Sequence, residues 1–409
     1  MTRIIIIGGG AAGMMTAAAL AERNVKAEIV LIERNQRLGQ KVIISGGGRC
    51  NVTTGVEDLK EVLSAYPRGA RFLRNAMHGF PPRAMIDWVE AHGVPLKKEE
   101  DLRIFPKSDN GTHIVGIFEN MLKKSKVKVM CKSVVTGLSH NDKFHVQLNT
   151  NEIISGDVLV LTTGGQAYKG TGSKGDGYSF AETLGHKITD LAPSLTAFTL
   201  EDKWIKELAG LSFEKVKLKF TAEKTYEFTG PFMFTHKGVT GPAVFALSAL
   251  SAFERFFREK PARLELDFFP DMNQEEFAQT VKQLIAGSPK KQFHNILGHL
   301  LPNSFAKQIC VYLDIPFHKR NNELSKKDIN KTIQSLKQLP LNIIGRSPGE
   351  EFVTAGGVDL SEVDPKTMQS KITPGLYFAG EILNIDGFTG GYNLQAAWAG
   401  GRLVGESIT

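Results

Sequence analysis

Cysteine is scarce in this chain of 409 residues, with Cys50, Cys131 and Cys310 as its full complement. Three thiols at that spacing build neither a disulfide framework nor a zinc site, and they suit a reducing, cytoplasmic compartment. A membrane-spanning run is lacking too. Ile4 to Ala21 carries no charge over 18 residues, yet four isoleucines, then three glycines, then an alanine-rich stretch read as strand, turn and helix. Neither internal repeats nor low-complexity tracts occur, which sets aside solenoids and disordered tails. Acidic excess is absent, since 50 Lys and Arg outnumber 43 Asp and Glu for a net charge of +7. Most of that excess falls between Ser288 and Pro340, where nine basic residues meet only Asp314, Glu323 and Asp328. Without aromatics interleaved among those cations, the segment reads as a solvated helical surface, and nucleic acid is not the expected partner.

Glycine is what the chain has in plenty. It supplies 41 of 409 residues, clustered where backbone must turn sharply or approach a ligand closely. The first 35 residues read as a βαβ unit, with a strand from Arg3 to Ile7, a glycine turn, a helix from Ala11 to Arg23 and a strand from Ala27 to Ile32. Lys126 to Cys131 and Lys143 to Leu148 are expected in a smaller sheet, and Asp157 to Thr162 as a buried strand. From about Leu195, alternating stretches such as Lys215 to Phe220 and Arg263 to Phe269 predict antiparallel β structure around an apolar helix from Pro242 to Phe257. Asn273 to Leu339 is helical and basic; a strand at Gly375 to Ala379 and a helix at Leu394 to Gly405 close the chain. The fold class is therefore α/β. A Rossmann-like nucleotide-binding domain is built from residues 1–194 and 348–409, with 195–272 and 341–347 as an inserted β-rich part on the substrate side and 273–340 as a helical part.

The motifs carry the chemistry. In Gly8-x-Gly10-x-x-Gly13, Gly8 serves the tight turn, Gly10 the close approach of a pyrophosphate and Gly13 helix packing, while Ala11 and Ala12 open the helix. Glu33, 20 residues after Gly13, is placed to accept hydrogen bonds from a ribose diol. Its charge repels a 2′-phosphate, so FAD or NAD is expected over NADP. RLGQKVIISGGGRCN offers Lys41, Ser45, Gly46, Gly47, Arg49 and Asn51 to an anion or a flat ring, with Arg49 as a bidentate fork. Cys50 reads as packing, because no second cysteine completes a dithiol. Thr163, Gly164 and Gly165 begin a close-approach loop, and His236 sits in a glycine-flanked turn as either a structural residue or a proton-exchange group. Gly380 and Glu381 end a strand, after which Gly391, Tyr392, Asn393 and Leu394 open a helix whose free N–H groups form an anion site. No second GxGxxG and no CxxxxC dithiol occur. Electrons must come from the substrate, a visiting nicotinamide or another protein.

These motifs are similar to those of the BaiN/YhiN-like family of FAD-dependent flavoproteins, in the two-dinucleotide-binding-domain class. The resemblance runs through GGGAAG with Glu33, SGGGRCN, TTGG with TGSKGDGY, FTHKGVTGPA, TAGGVDLSEVDPKTMQSK and GLYFAGEILNIDGFTGGYNLQAAWAGG. Lys237 and Thr240 depart from it, where the family more often has an aromatic residue and a serine. The resemblance implies non-covalent FAD in the terminal domain, a β-barrel-like insert and a helical cap. It further implies that Glu33 holds the adenosine ribose, that Gly8 to Gly13 and Gly380-Glu381 face the pyrophosphate and ribityl chain, and that Gly391 to Leu394 approach the isoalloxazine. Val134 supplies a backbone contact to adenine, and Arg34 and Asp386 join the cofactor set. Tyr392 and Asn393 are expected beside the reactive ring edge, with Tyr168 and His236 as polar groups on the substrate side. The implied activity is hydride transfer between the flavin and a small organic substrate, as a reductase of activated C=C bonds or an amine or amino-ketone oxidase, with NAD(P)H as a candidate external donor. The alternative is a flavoprotein that binds or modifies RNA through its basic helices.

Overall fold

A computed structural model describes residues 1–409, which divide into two compact units, residues 1–194 with 351–409 and residues 195–350. In the first unit a five-stranded parallel sheet runs in the order β5-β4-β1-β2-β3, with β1 at Thr2–Ile7, β2 at Ala27–Ile32, β3 at Val127–Met130, β4 at Val158–Leu161 and β5 at Leu376–Phe378. Ile4 to Ile7 and Leu159 to Leu161 are all but fully buried, as a parallel sheet covered on both faces requires. Val127 to Met130 belongs to this sheet, paired with β2, and not to a smaller one. Its alternation is that of an edge strand, with Val129 36% exposed. Phe144–Leu148 does lie in a separate three-stranded antiparallel sheet.

The chain ends meet through two helices, α1 (Ala11–Glu22) and α5 (Tyr392–Ser407). Small residues line the contact. A Cβ on Gly401 would run into the Ala12 carbonyl, and one on Gly405 would sit 2.5 Å from the Ala19 Cβ. Thr16 Oγ1 donates to the Ala12 and Gly401 carbonyls, and Arg23 Nη1 donates to the Gly405 and Ile408 carbonyls, closing the end of α5. Three further helices matter for the site: α2 (Gln40–Ile44), α3 (Gly111–Lys124) and α4 (Asp176–Thr183). No helix is long and apolar enough to cross a membrane.

The second unit is a closed six-stranded antiparallel barrel whose strand order is 198–200, 238–240, 225–234, 212–221, 262–267 and 339–346. Val216, Leu218 and Phe220 point into it with 0% exposure, while the alternating lysines face out. Helices Gln274–Ala286, Phe293–Leu297, Asn303–Tyr312 and Lys326–Lys337 have no core of their own, because Phe277, Phe293 and Phe305 join the barrel's apolar cluster. The apolar helix from Pro242 ends at Leu250, short of Phe257. Arg346 donates to the Ser251 and Glu254 carbonyls there, and Glu254 turns inward to accept from Glu223 N, Lys224 N and the Tyr226 hydroxyl.

Candidate functional site

The carboxyl ends of β1, β2, β4 and β5 gather the glycine motifs in the first unit. Gly8 has φ +106°, and a Cβ there would lie 2.5 Å from the Thr162 carbonyl oxygen. A Cβ on Gly13 would run into the Gly8 carbonyl, whereas one on Gly10 would meet nothing within 4 Å. Space is therefore open directly before α1, whose first turn has no side-chain cap and no acid. Ala11 and Ala12 present that turn's N–H groups and its positive end of the helix dipole. Glu33 is 7% exposed; Oε2 accepts from Gly9 N and Oε1 from Asn35 N, each at 2.8 Å. A carboxylate accepts about four hydrogen bonds, so two sites remain for a diol. This open, uncapped helix end beside a pinned carboxylate fits an adenine dinucleotide.

Lys41, on α2, ties the next layer together. Its Nζ lies 2.8 Å from Glu381 Oε2 and 3.2 Å from Ser173 Oγ. Glu381 Oε1 accepts from Thr354 N at 2.9 Å, Thr354 Oγ1 accepts from Gln166 N at 2.8 Å, and Ser173 Oγ donates to the Gly165 carbonyl. Gly164 takes φ +74°, and a Cβ on Gly165 would lie 2.5 Å from Thr354 Oγ1. Thr163 Oγ1 is buried without a partner at the end of β4. Thr354 was not singled out from the sequence; its signal was the TAGG stretch. Gly380 has φ +83°, close against Ala12.

A third layer meets the start of α5. Gly391 has φ +93° and packs on Thr53, with no room for a Cβ. With its amide oriented to satisfy both atoms, Asn51 accepts from Gly391 N at 2.9 Å and donates to the Thr53 carbonyl at 3.0 Å. Tyr66 donates to the Tyr392 carbonyl at 2.7 Å, and the two rings meet edge to face with centroids 6.0 Å apart. Leu394 packs on the core, and the fully buried Gln395, which no sequence signal marked, accepts from Thr53 Oγ1 and donates to the Phe80 carbonyl. Gly46, Gly47 and Gly48 all have positive φ, and Cβ atoms on the last two would meet nothing. Ser45 Oγ donates to the Val42 carbonyl, and the Cys50 thiol is buried and pushed up to about 12, an unreactive packing group.

Several expected site residues are otherwise engaged. Asp386 is fully buried, paired with Arg68 and accepting from Ser194 Oγ at 2.6 Å, so it ties distant parts of the chain together. Arg49 pairs with Glu99 at 2.6 Å and lies 3.8 Å over the Phe105 ring, not poised as a phosphate fork. Arg34 is bound to Asp176 at 2.6 Å and to the Gly172 carbonyl. Val134 N donates to Asn149 Oδ1 at 3.1 Å and its carbonyl accepts from Asn149 N at 2.8 Å. The Asn393 amide closes the preceding loop by accepting from Gly387 N and donating to the Gly387 carbonyl, both at 2.8 Å. His236 is exposed in the second unit on a turn closed by Thr235 Oγ1, which accepts from Lys237 N and Gly238 N. Tyr168 does sit at the surface of the first unit, 40% exposed with φ +57°, its ring parallel to that of Phe352 at 5.9 Å.

A family model described as the HI0933-like protein Rossmann domain matches residues 2–407. A 3-dehydro-bile acid delta(4,6)-reductase of Clostridium scindens is 29% identical over 409 residues, covering 100% of this chain and 99% of the relative. A ribosomal RNA dihydrouridine synthase of Escherichia coli is 30% identical over 407 residues, covering 99% of this chain and 97% of the relative. Among solved structures, a quinol fumarate reductase FrdA of E. coli has a TM-score of 0.50 at 16% identity, covering 99% of this chain and 69% of that one. That last likeness is one of fold.

Proposed function

Because the chain belongs to the HI0933-like Rossmann family and is a flavin-dependent oxidoreductase, we propose that it reduces a carbon–carbon double bond conjugated to a carbonyl. The observation that carries this reading is that two relatives matching almost end to end are named a 3-dehydro-bile acid delta(4,6)-reductase and a ribosomal RNA dihydrouridine synthase, names that share reduction of a ring double bond. The substrate we favour is a small unsaturated ketone. The second relative's name supports a second reading, in which the reduced ring belongs to an RNA.

Bound FAD would supply the two-electron carrier between donor and substrate. The chain's own residues hold it. The α1 N-terminus would neutralise the pyrophosphate, Glu33 would hold the ribose hydroxyls, and the Lys41–Glu381 pair with Gly164 and Gly165 would fix the middle of the cofactor. The first turn of α5, from Tyr392 to Leu394, would bring backbone N–H groups without a side-chain cap to the ring, where the helix dipole favours electron density by about 0.3 to 2 kcal/mol. Tyr168, 40% exposed at the surface of the first unit, is the phenol we place as proton donor to the carbon next to the carbonyl. The test is anaerobic. Bleaching of the flavin by NADH or NADPH supports a reductase; bleaching by an amine, with peroxide formed on admitting air, would replace it with an oxidase.

A further inference from the structure

The outer edge of the parallel sheet carries a cleft that the cofactor cradle does not use. β3 is the last strand of that sheet, and α3 leads into it through a turn at Ser125. Val127, Val129 and Cys131 alternate onto one face along the strand and just past it, a single file about 13 Å long at about 3.3 Å per residue. With Leu38 and Leu122 they give an apolar floor to a cleft of about 380 Å³, a volume in the range of small-molecule sites. Val129 is 36% exposed, so this floor is open to solvent. Glu33, Lys41, Glu381 and the Gly8 to Gly13 turn take no part in lining it.

Cations surround the floor. Arg37 and Lys123 line the cleft; Arg37 Nε is buried with no hydrogen-bond partner, and the acid facing it, Glu119, holds Oε1 3.9 Å away, beyond hydrogen-bond distance. From Glu119 to Lys132 the chain sets five lysines against that one acid. Lys123, Lys124, Lys126, Lys128 and Lys132 are all exposed, and none is held in an ion pair. The edge therefore carries a positive field over an apolar file, and the Arg37 fork has N–H groups to give. Such a cleft is complementary to a ligand with an apolar chain and one anionic head, since binding removes the floor from water and a carboxylate takes the fork. We propose that it binds a medium-chain acyl carboxylate. A single file of Val, Val and Cys accommodates an extended chain and is too narrow to seat a fused-ring body. A saturated acid also has no double bond to be reduced, so this is a ligand site separate from the substrate's.

Cys131 reports occupancy, because it lines the cleft and is partly exposed whereas Cys50 and Cys310 are buried. The full-length, FAD-loaded protein is alkylated with N-ethylmaleimide, and modification of Cys131 is followed by mass spectrometry in the presence of decanoate. Decanoate should slow the reaction saturably, and calorimetric titration of the same acid should give a matching affinity. Decanol keeps the chain without the charge, and acetate the charge without the chain; each should protect about tenfold more weakly. Arg37→Gln should raise the decanoate concentration for half protection about tenfold and leave that for decanol unchanged. Lys128→Gln, turned to the opposite face of β3, should change it by less than about twofold. Flavin absorbance and melting temperature report the folding of each variant. No binding of decanoate by either measurement, or equal protection by decanol, would overturn the proposal. Release of FAD as decanoate binds would overturn it too, by making the cleft part of the cofactor's own site. Pelleting of the protein with phosphatidylglycerol vesicles, without protection by decanoate, would replace the free acid with a lipid surface.

Discussion

Glu33 and Asp386 are both buried carboxylates of the first unit, and they differ in what they leave unused. Glu33 accepts two backbone N–H groups and keeps lone pairs toward the open end of α1. Glu33→Ala should therefore raise the FAD dissociation constant by about one to two decades, because charge-assisted hydrogen bonds worth about 1.5 to 3 kcal/mol each are lost; a fluorescence titration of the apoprotein measures it. Asp386 has its oxygens taken by Arg68 and Ser194 and is 0% exposed. Asp386→Ala breaks this buried ion pair, and should lower the stability of the first unit by about 3 to 5 kcal/mol in urea unfolding. A variant that instead lost FAD and kept its unfolding midpoint would return Asp386 to the cofactor.

At the scale of elements, the segment after α4 is stapled to β5 and the loop before it around His186. Its ring is buried, with Nε2 2.8 Å from Ser370 Oγ, Nδ1 3.2 Å from Glu362 Oε2, and Phe378 against its face. Burial lowers its proton affinity more than Glu362 raises it. The unfolded chain then binds the extra proton first, so stability is full above about pH 6.5 and falls as pH drops through the depressed folded value. Urea midpoints should decline between about pH 7 and about pH 5, and His186→Gln should flatten that decline; a decline of the same size in the variant would assign it elsewhere. The elements themselves were largely legible. Gly8, Gly13 and Gly391 are demanded by local backbone geometry, which a sequence displays. Val127 to Met130 was misplaced because an edge strand of a parallel sheet alternates as an antiparallel one does. Arg68 with Asp386, 318 residues apart, and Val134 with Asn149 were not legible, since nothing local in either partner announces the other.

The whole molecule combines a cofactor cradle built from both chain ends with a barrel unit whose helices share the barrel's core. The ends are held together by small residues between α1 and α5, and the two uncapped helix N-termini belong to those same helices. Packing of the termini thus fixes where both of these helix ends stand. The central claim is that this cradle holds a flavin that delivers hydride to a double bond conjugated to a carbonyl. It is tested most directly by reducing the FAD-loaded protein anaerobically with one equivalent of dithionite and mixing it with a steroid 4-en-3-one or, separately, with oligouridylate. The account predicts return of the oxidised-flavin absorbance, with one equivalent of a product carrying new hydrogens on both carbons of the former double bond. A flavin that stays bleached with both substrates, yet reoxidises when air is admitted, would contradict it.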